Sequence, residues 1–248
     1  MATHLKILNG TDIKAFDLPP EFNTEERKRF FDLPQWADAE VHACRTFINK
    51  VGFILQLGYF RAANRFFVAN KFHTKDVEYI CNKLLLPLEG ITFKKYIKGT
   101  FERHQEIILE KLGVSKFNDR YKKILMNEAA LLSGNQMKPR RIFLSLLDFL
   151  RKRKVEIPTY NTLAEVITQG LKQFEKGLIA SVNEHLGVAD RMLLDDLLTI
   201  DDAYLTEKQD SKIKRYKITL LKSNNQSLSP AKIRENVEDL KTLKGLFE

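Results

Sequence analysis

Apolar residues recur every three or four positions along most of this chain, and that spacing admits little besides packed α-helices. Val41, Cys44, Ile48, Val51, Leu55 and Tyr59 predict a long amphipathic helix, with Arg45, Asn49, Gly52 and Gln56 as a polar or small stripe on another face. Leu163, Val166, Ile167, Leu171, Phe174, Leu178, Val182 and Leu186 predict a second one, about 35 Å long at 1.5 Å per residue. Nothing in the sequence reads as a sheet. The expected fold class is all-α and multi-helical.

Punctuation residues divide this pattern. The segment up to Trp36 carries Pro19-Pro20 and Pro34, with a helix start at Thr24-Glu25-Glu26, and reads as an arm packed on the helices C-terminal to it. Thr74 is placed to cap a helix with Val77, Ile80, Cys81, Leu84 and Leu85 on its inner face, and a short helix over 93–97 comes next. Thr100 is the expected N-cap of a helix that ends near Leu112, with Gly113 as its stop. Helices over 119–132 and 139–153 flank a turn at Ser133-Gly134-Asn135, Pro158 breaks the chain, and Thr162-Leu163-Ala164-Glu165 has the form of a capping box. Beyond Ala189 the chain reads as helical, with a polar linker at Ser223-Asn224-Asn225-Gln226 and a last helix started by Ser229 and Pro230. Three parts are expected: 1–115, 116–188 and 189–248.

Charge is distributed unevenly among them. Residues 1–40 sum to −3, 41–154 to +14 and 155–248 to −2. A positive block between two mildly acidic flanks makes a field directed at a polyanion, and nucleic acid is the leading partner. Cys44 and Cys81 have no second cysteine at short spacing and are expected to be free thiols in a reducing compartment. Residues 1–10 lack the apolar core of a signal peptide, and runs such as Leu84-Leu85-Leu86-Pro87-Leu88 are too short to span a bilayer. The expectation is a cytoplasmic protein with no membrane partner.

Within the basic block the strongest candidate for reading DNA is the start of the helix at Thr100. Lys94, Lys95, Tyr96 and Lys98 lead into it, and Arg103 and His104 lie in its first turn, so cations and helix-terminal N–H groups would converge on base edges and phosphates. A second candidate joins Arg140, Arg141 and Arg151-Lys152-Arg153-Lys154 to Thr159, Tyr160, Asn161 and Thr162 at the tip of the next helix. Arg61, Arg65, Lys71 and Lys75 form a third patch suited to phosphates, and Arg45 and Lys50 are further candidate DNA contacts. The plain alternatives are solvated basic faces, and for Arg151 to Lys154 complementation of a helix C-terminal dipole.

Catalytic patterns are weak. Asp195-Asp196 and Asp201-Asp202 could be imagined as two-metal ligands, but adjacent helical residues point about 100° apart, which fits a solvated acidic face better. His42 and Cys44 lack the further ligands of a zinc site, and there is neither a phosphate-cradling glycine loop nor a nucleophile elbow. No cofactor, metal or catalytic site is expected.

Arg29-Phe30-Phe31-Asp32-Leu33-Pro34, the stretch 49–61, Arg65-Phe66, Thr100 with His104 and Glu106-Ile107, and Pro158 with Thr162-Leu163 occur in one order. In that order they resemble the N-terminal region of replicative transposases of the Tn-three family. The resemblance runs from near residue 16 to the end of the chain. It implies tandem helical DNA-binding domains of helix-turn-helix type that recognise the terminal inverted repeats of a transposon. It also implies that the family's metal-dependent Asp-Asp-Glu catalytic site belongs to a region other than this one, and that the acidic third part connects towards it and takes part in a homodimer. Phe101, Arg103 and Asn64 depart from the family's usual arginine, acid and glycine. A helical RNA binder or protein-interaction scaffold is the rival reading; exposed aromatic rings beside the basic residues would favour RNA.

Overall fold

The computed structural model describes residues 7–88, 91–199 and positions 234 and 237. Among the described residues the fold is all-α, with a lone parallel bridge between Ser115 and Val155. The helices are α1 Gly10–Asp17, α2 Thr24–Phe30, α3 Gln35–Ala43, α4 Phe47–Ala63, α5 Thr74–Lys83, α6 Lys98–Leu112, α7 Asp119–Gly134, α8 Pro139–Lys152, α9 Tyr160–His185 and α10 Val188–Leu197. Single-turn 3-10 helices at Ala69–Lys71 and Phe93–Lys95 flank α5. The helix expected at Ser229 lies outside the described residues apart from positions 234 and 237, as does the acidic pair Asp201-Asp202.

Local chemistry sets most of these boundaries. Asn23 and Glu26 close a capping box on α2, Thr46 accepts from the Asn49 amide at 3.2 Å to start α4, and Asn118 accepts from the Tyr121 amide to start α7. Pro139 occupies the first turn of α8, where its missing N–H costs nothing. Gly113 ends α6 in the left-handed conformation, φ 63°. The continuous helix expected from Val41 through Tyr59 is instead two: α3 ends at Ala43, and Thr46 restarts the chain as α4. Thr100 and Thr162 are not N-caps either. Helix α6 begins three residues earlier, with Ile97 at its N-cap position, and Thr159 accepts the Thr162 amide to cap α9.

Helix α4 is central to the first core. Its residues 51 to 60 are all buried, because α2, α3, α5 and α6 surround it. Part of the small and polar stripe is therefore a packing surface: a Cβ on Gly52 would lie 2.7 Å from the Tyr96 ring, and Gln56 is buried. Elsewhere on α4 a Cβ on Gly58 would overlap Phe31. Phe31, Phe53, Leu55, Leu57, Ile80 and Ile108 fill this core. Tyr59 donates its hydroxyl hydrogen to Asp76 at 2.7 Å, and Arg27 reaches the other oxygen of that carboxylate at 2.7 Å, so a fully buried acid is paired and hydrogen-bonded.

Leu125, Ile142, Leu146, Leu150, Leu163 and Ile167 build a second core from α7, α8 and α9. There α9 comes close to α7 at Gly170, where a Cβ would meet Ala129 at 2.6 Å; at Gly177 it would meet nothing within 4 Å. The N-terminal arm reaches this second core, since Ile7 and Leu8 are buried in it. The chain divides into compact units within α9, one ending at Glu175 and the other beginning at Lys176. In the latter, Leu178, Ile179, Val182, Val188, Met192 and Leu198 are exposed.

Candidate nucleic-acid interface

Helix α6 begins without a side-chain cap, because Ile97 at its N-cap position offers no acceptor. Its first amides therefore lack the usual capping partner and carry the positive end of the helix dipole. Lys94, Lys98 and Arg103 are exposed around this start, and Lys98 makes one loose contact of 3.7 Å with Glu102. Gly99, in the first turn, has open space where a side chain would stand. Lys50, on the first turn of α4, and Arg103, on the second turn of α6, both act electrostatically on Cys44. Burial is the larger influence on that thiol and pushes its pKa up. Arg45, between α3 and α4, is exposed beside it.

His104 does not join this surface. Only 1% of it is exposed, and it sits edge-on to Phe53 at 5.1 Å. Gln56 donates to the Tyr96 hydroxyl, Tyr96 donates to His104 Nδ1 at 2.6 Å, and His104 Nε2 faces Cys44 Sγ at 3.8 Å. The acceptor role of Nδ1 places the proton of the neutral ring on Nε2. Burial, assisted by the charge of Arg103, lowers the His104 pKa to about 4, which keeps the ring neutral. His104 therefore anchors α6 to α4 instead of reading a base, which corrects its assignment as a DNA contact.

Arg65 is a second correction. Its side chain is 6% exposed and ion-pairs with Asp17 at 3.0 Å, donates to the Phe16 carbonyl at 2.8 Å, and lies over the Phe16 and Phe67 rings. The guanidinium fastens the arm and is closed to a phosphate. Lys71, by contrast, is exposed and reaches the Asp17 carbonyl at 3.3 Å.

In the second candidate set, Tyr160 is buried against Phe143 and leaves the surface, because its ring fills the core at the start of α9. Thr159 and Asn161 beside it are exposed, and Thr162 is half-buried. Arg140 and Arg141 are exposed at the start of α8, Arg140 with Asp12 at 3.4 Å. Arg153 lies over the Phe149 ring at 4.3 Å, and Arg151 contacts Asp148 at 3.4 Å. Lys95 lies in the 3-10 turn before α6, and its side chain is outside the described residues.

One grouping could not be read from spacing. Arg29 of α2, Arg61 of α4 and Arg151 of α8 line a single cleft of about 500 Å³. No periodicity links positions so far apart. Among the described residues, no group of three or more His, Cys, Asp or Glu side chains is arranged to hold a metal ion, and no helix is long and apolar enough to cross a membrane.

Fold and surface together define an all-α protein with exposed basic residues at the starts of its helices and in the cleft they enclose. The chain belongs to the family described as a domain of unknown function (DUF4158), which matches residues 7–170. No curated protein matches the chain.

Proposed function

We propose that this chain binds duplex DNA, with the start of α6 directed into a groove and the surrounding lysines and arginines on phosphates. The observation that carries the reading is the uncapped start of α6 with Lys94, Lys98 and Arg103 exposed around it, on a helix fixed from beneath by the buried Gln56–Tyr96–His104 chain. A recognition helix needs this combination of an open, electropositive tip and a rigid seat. The local charge of +14 over residues 41–154 supplies the sequence-independent part of the attraction.

The family is known in transposase-associated proteins of the Tn-three family, which supports the finer reading. In that reading the chain is the DNA-binding region of a replicative transposase, its helix-turn-helix-type units recognise terminal inverted repeats, and by itself it leaves the strands intact. Duplex is favoured over single strands because every Phe, Tyr and Trp ring among the described residues is buried or half-buried, leaving few open faces for base stacking. The test is fluorescence anisotropy with duplex carrying the ends of the encoding element, a scrambled duplex and a single strand, titrated over salt. Tight, steeply salt-dependent binding to the end duplex supports the reading; equal binding to the single strand, or a flat salt response, refutes it.

A further inference from the structure

The cleft lined by Arg29, Arg61 and Arg151 has a composition that the packing of the helices does not require. Phe30, Phe60 and Leu112 contribute apolar lining, and arginines from α2, α4 and α8 line it as well. Arg61 is oriented by two carbonyls at the end of α2, donating to Phe30 at 3.1 Å and to Asp32 at 2.6 Å. Those bonds use one of its terminal nitrogens, and the remaining N–H groups of the fork are available to an acceptor. Arg29 has no carboxylate partner among the described residues and lies 5.3 Å from the centroid of the Phe30 ring. Among the described residues Arg151 pairs only with Asp148, at 3.4 Å, in a pair whose side chains are 53% and 66% exposed, so solvent screens it and an incoming anion displaces it at little cost.

Like charges gathered in one cleft repel one another unless an anion joins them. Guanidinium forks match phosphate oxygens in geometry as well as charge. Resting on the duplex-binding reading, we infer that this cleft is a phosphate clamp. It holds the DNA backbone at the seam between the two cores and is distinct from the start of α6. The cleft is built from both cores, because Arg29 and Arg61 come from helices of the first and Arg151 from a helix of the second. A clamped phosphate there would fix the duplex relative to both at once. Such a contact positions DNA and carries no sequence information.

The experiment compares the intact chain with R29Q/R151Q and R29K/R151K on a mixed-sequence duplex, measuring affinity across a salt series and checking each protein's helicity and melting. Arg61 is left in place because it also holds the end of α2. Each phosphate contact contributes about 0.9 to the slope of log affinity against log salt. The expected result is that R29Q/R151Q lowers the slope by about 1 to 2. R29K/R151K, which keeps the charge, retains it. If the unmodified chain binds duplex and R29Q/R151Q keeps its slope, the clamp is refuted and the DNA reading stands. If the lysine pair loses as much slope as the glutamine pair, the effect comes from packing and the clamp is likewise refuted. If the unmodified chain does not bind duplex at all, the DNA reading fails and the clamp fails with it.

Discussion

Asn64 and Val155 stand 91 positions apart in sequence, and the Asn64 side-chain amide donates to the Val155 carbonyl at 2.8 Å. Asn64 also ends α4 in the left-handed conformation, φ 56°, and its own carbonyl accepts the Ile157 amide at 2.9 Å. One residue thus terminates the central helix of the first core and holds the backbone that enters the second. Asn64→Ala should cost about 2 kcal/mol, from a strained φ and a lost hydrogen bond, whereas Asn64→Gly should recover the conformational part. Denaturant unfolding of the two variants measures the difference, and equal losses would show that the side-chain bond alone matters.

Arg65 should behave as a structural residue. Arg65→Met keeps much of the packing but leaves Asp17 without its partner, and a loss of roughly 3 kcal/mol is expected in denaturant melts. Its DNA affinity, measured under conditions where it remains folded, should have the salt slope of the unmodified chain. A slope lower by about 1 would put Arg65 on a phosphate after all.

Acid should expose the burial of His104. The folded pKa is about 4 against 6.5 for the free side chain, so the unfolded chain binds a proton first. Its contribution to stability is intact above pH 6.5 and is lost as the pH falls from there towards 4, by up to about 3 kcal/mol. His104→Gln should flatten that part of the stability profile, seen in chemical melts between pH 4 and 7. An unchanged profile would assign the acid sensitivity to other groups.

The two helical glycines with opposite surroundings should respond oppositely to alanine. At Gly52 the new methyl would press on the Tyr96 ring and disturb the seat of α6, costing about 1 to 3 kcal/mol. At Gly177, with nothing within 4 Å, alanine should stabilise α9 by up to about 1 kcal/mol. Thermal melting and far-ultraviolet circular dichroism distinguish the two, and a neutral Gly52→Ala would mean that Tyr96 moves freely.

Arg103→Ala should act on DNA and leave folding alone. If it touches base edges, it should lose about 1 to 3 kcal/mol on the end-containing duplex and little on scrambled duplex, while Lys94→Ala should weaken both alike. Matching losses on the two duplexes would place Arg103 among the phosphate contacts.

Helical character, several caps and the location of the positive charge came from the sequence by itself, because each depends on residues within one or two turns. Gly113, Pro139 and the start of α2 near Thr24 are of this kind: the turn that forms is the one their backbone preferences favour. Tertiary structure decided which polar residues turn inward. Periodicity marks the apolar face of α4 but does not show that neighbours enclose its other faces, so Gly52 and Gln56 read with Arg45 and Asn49 as a polar or small stripe until Tyr96 is in place against them. His104 and Arg65 are held where they are buried by hydrogen bonds to Tyr96 and to Asp17, and spacing within their own helix or loop carries no record of those partners. The meeting of Arg29, Arg61 and Arg151 has the same origin. Charge fixes how strongly they attract an anion, but only the packing of α2, α4 and α8 brings them to one cleft.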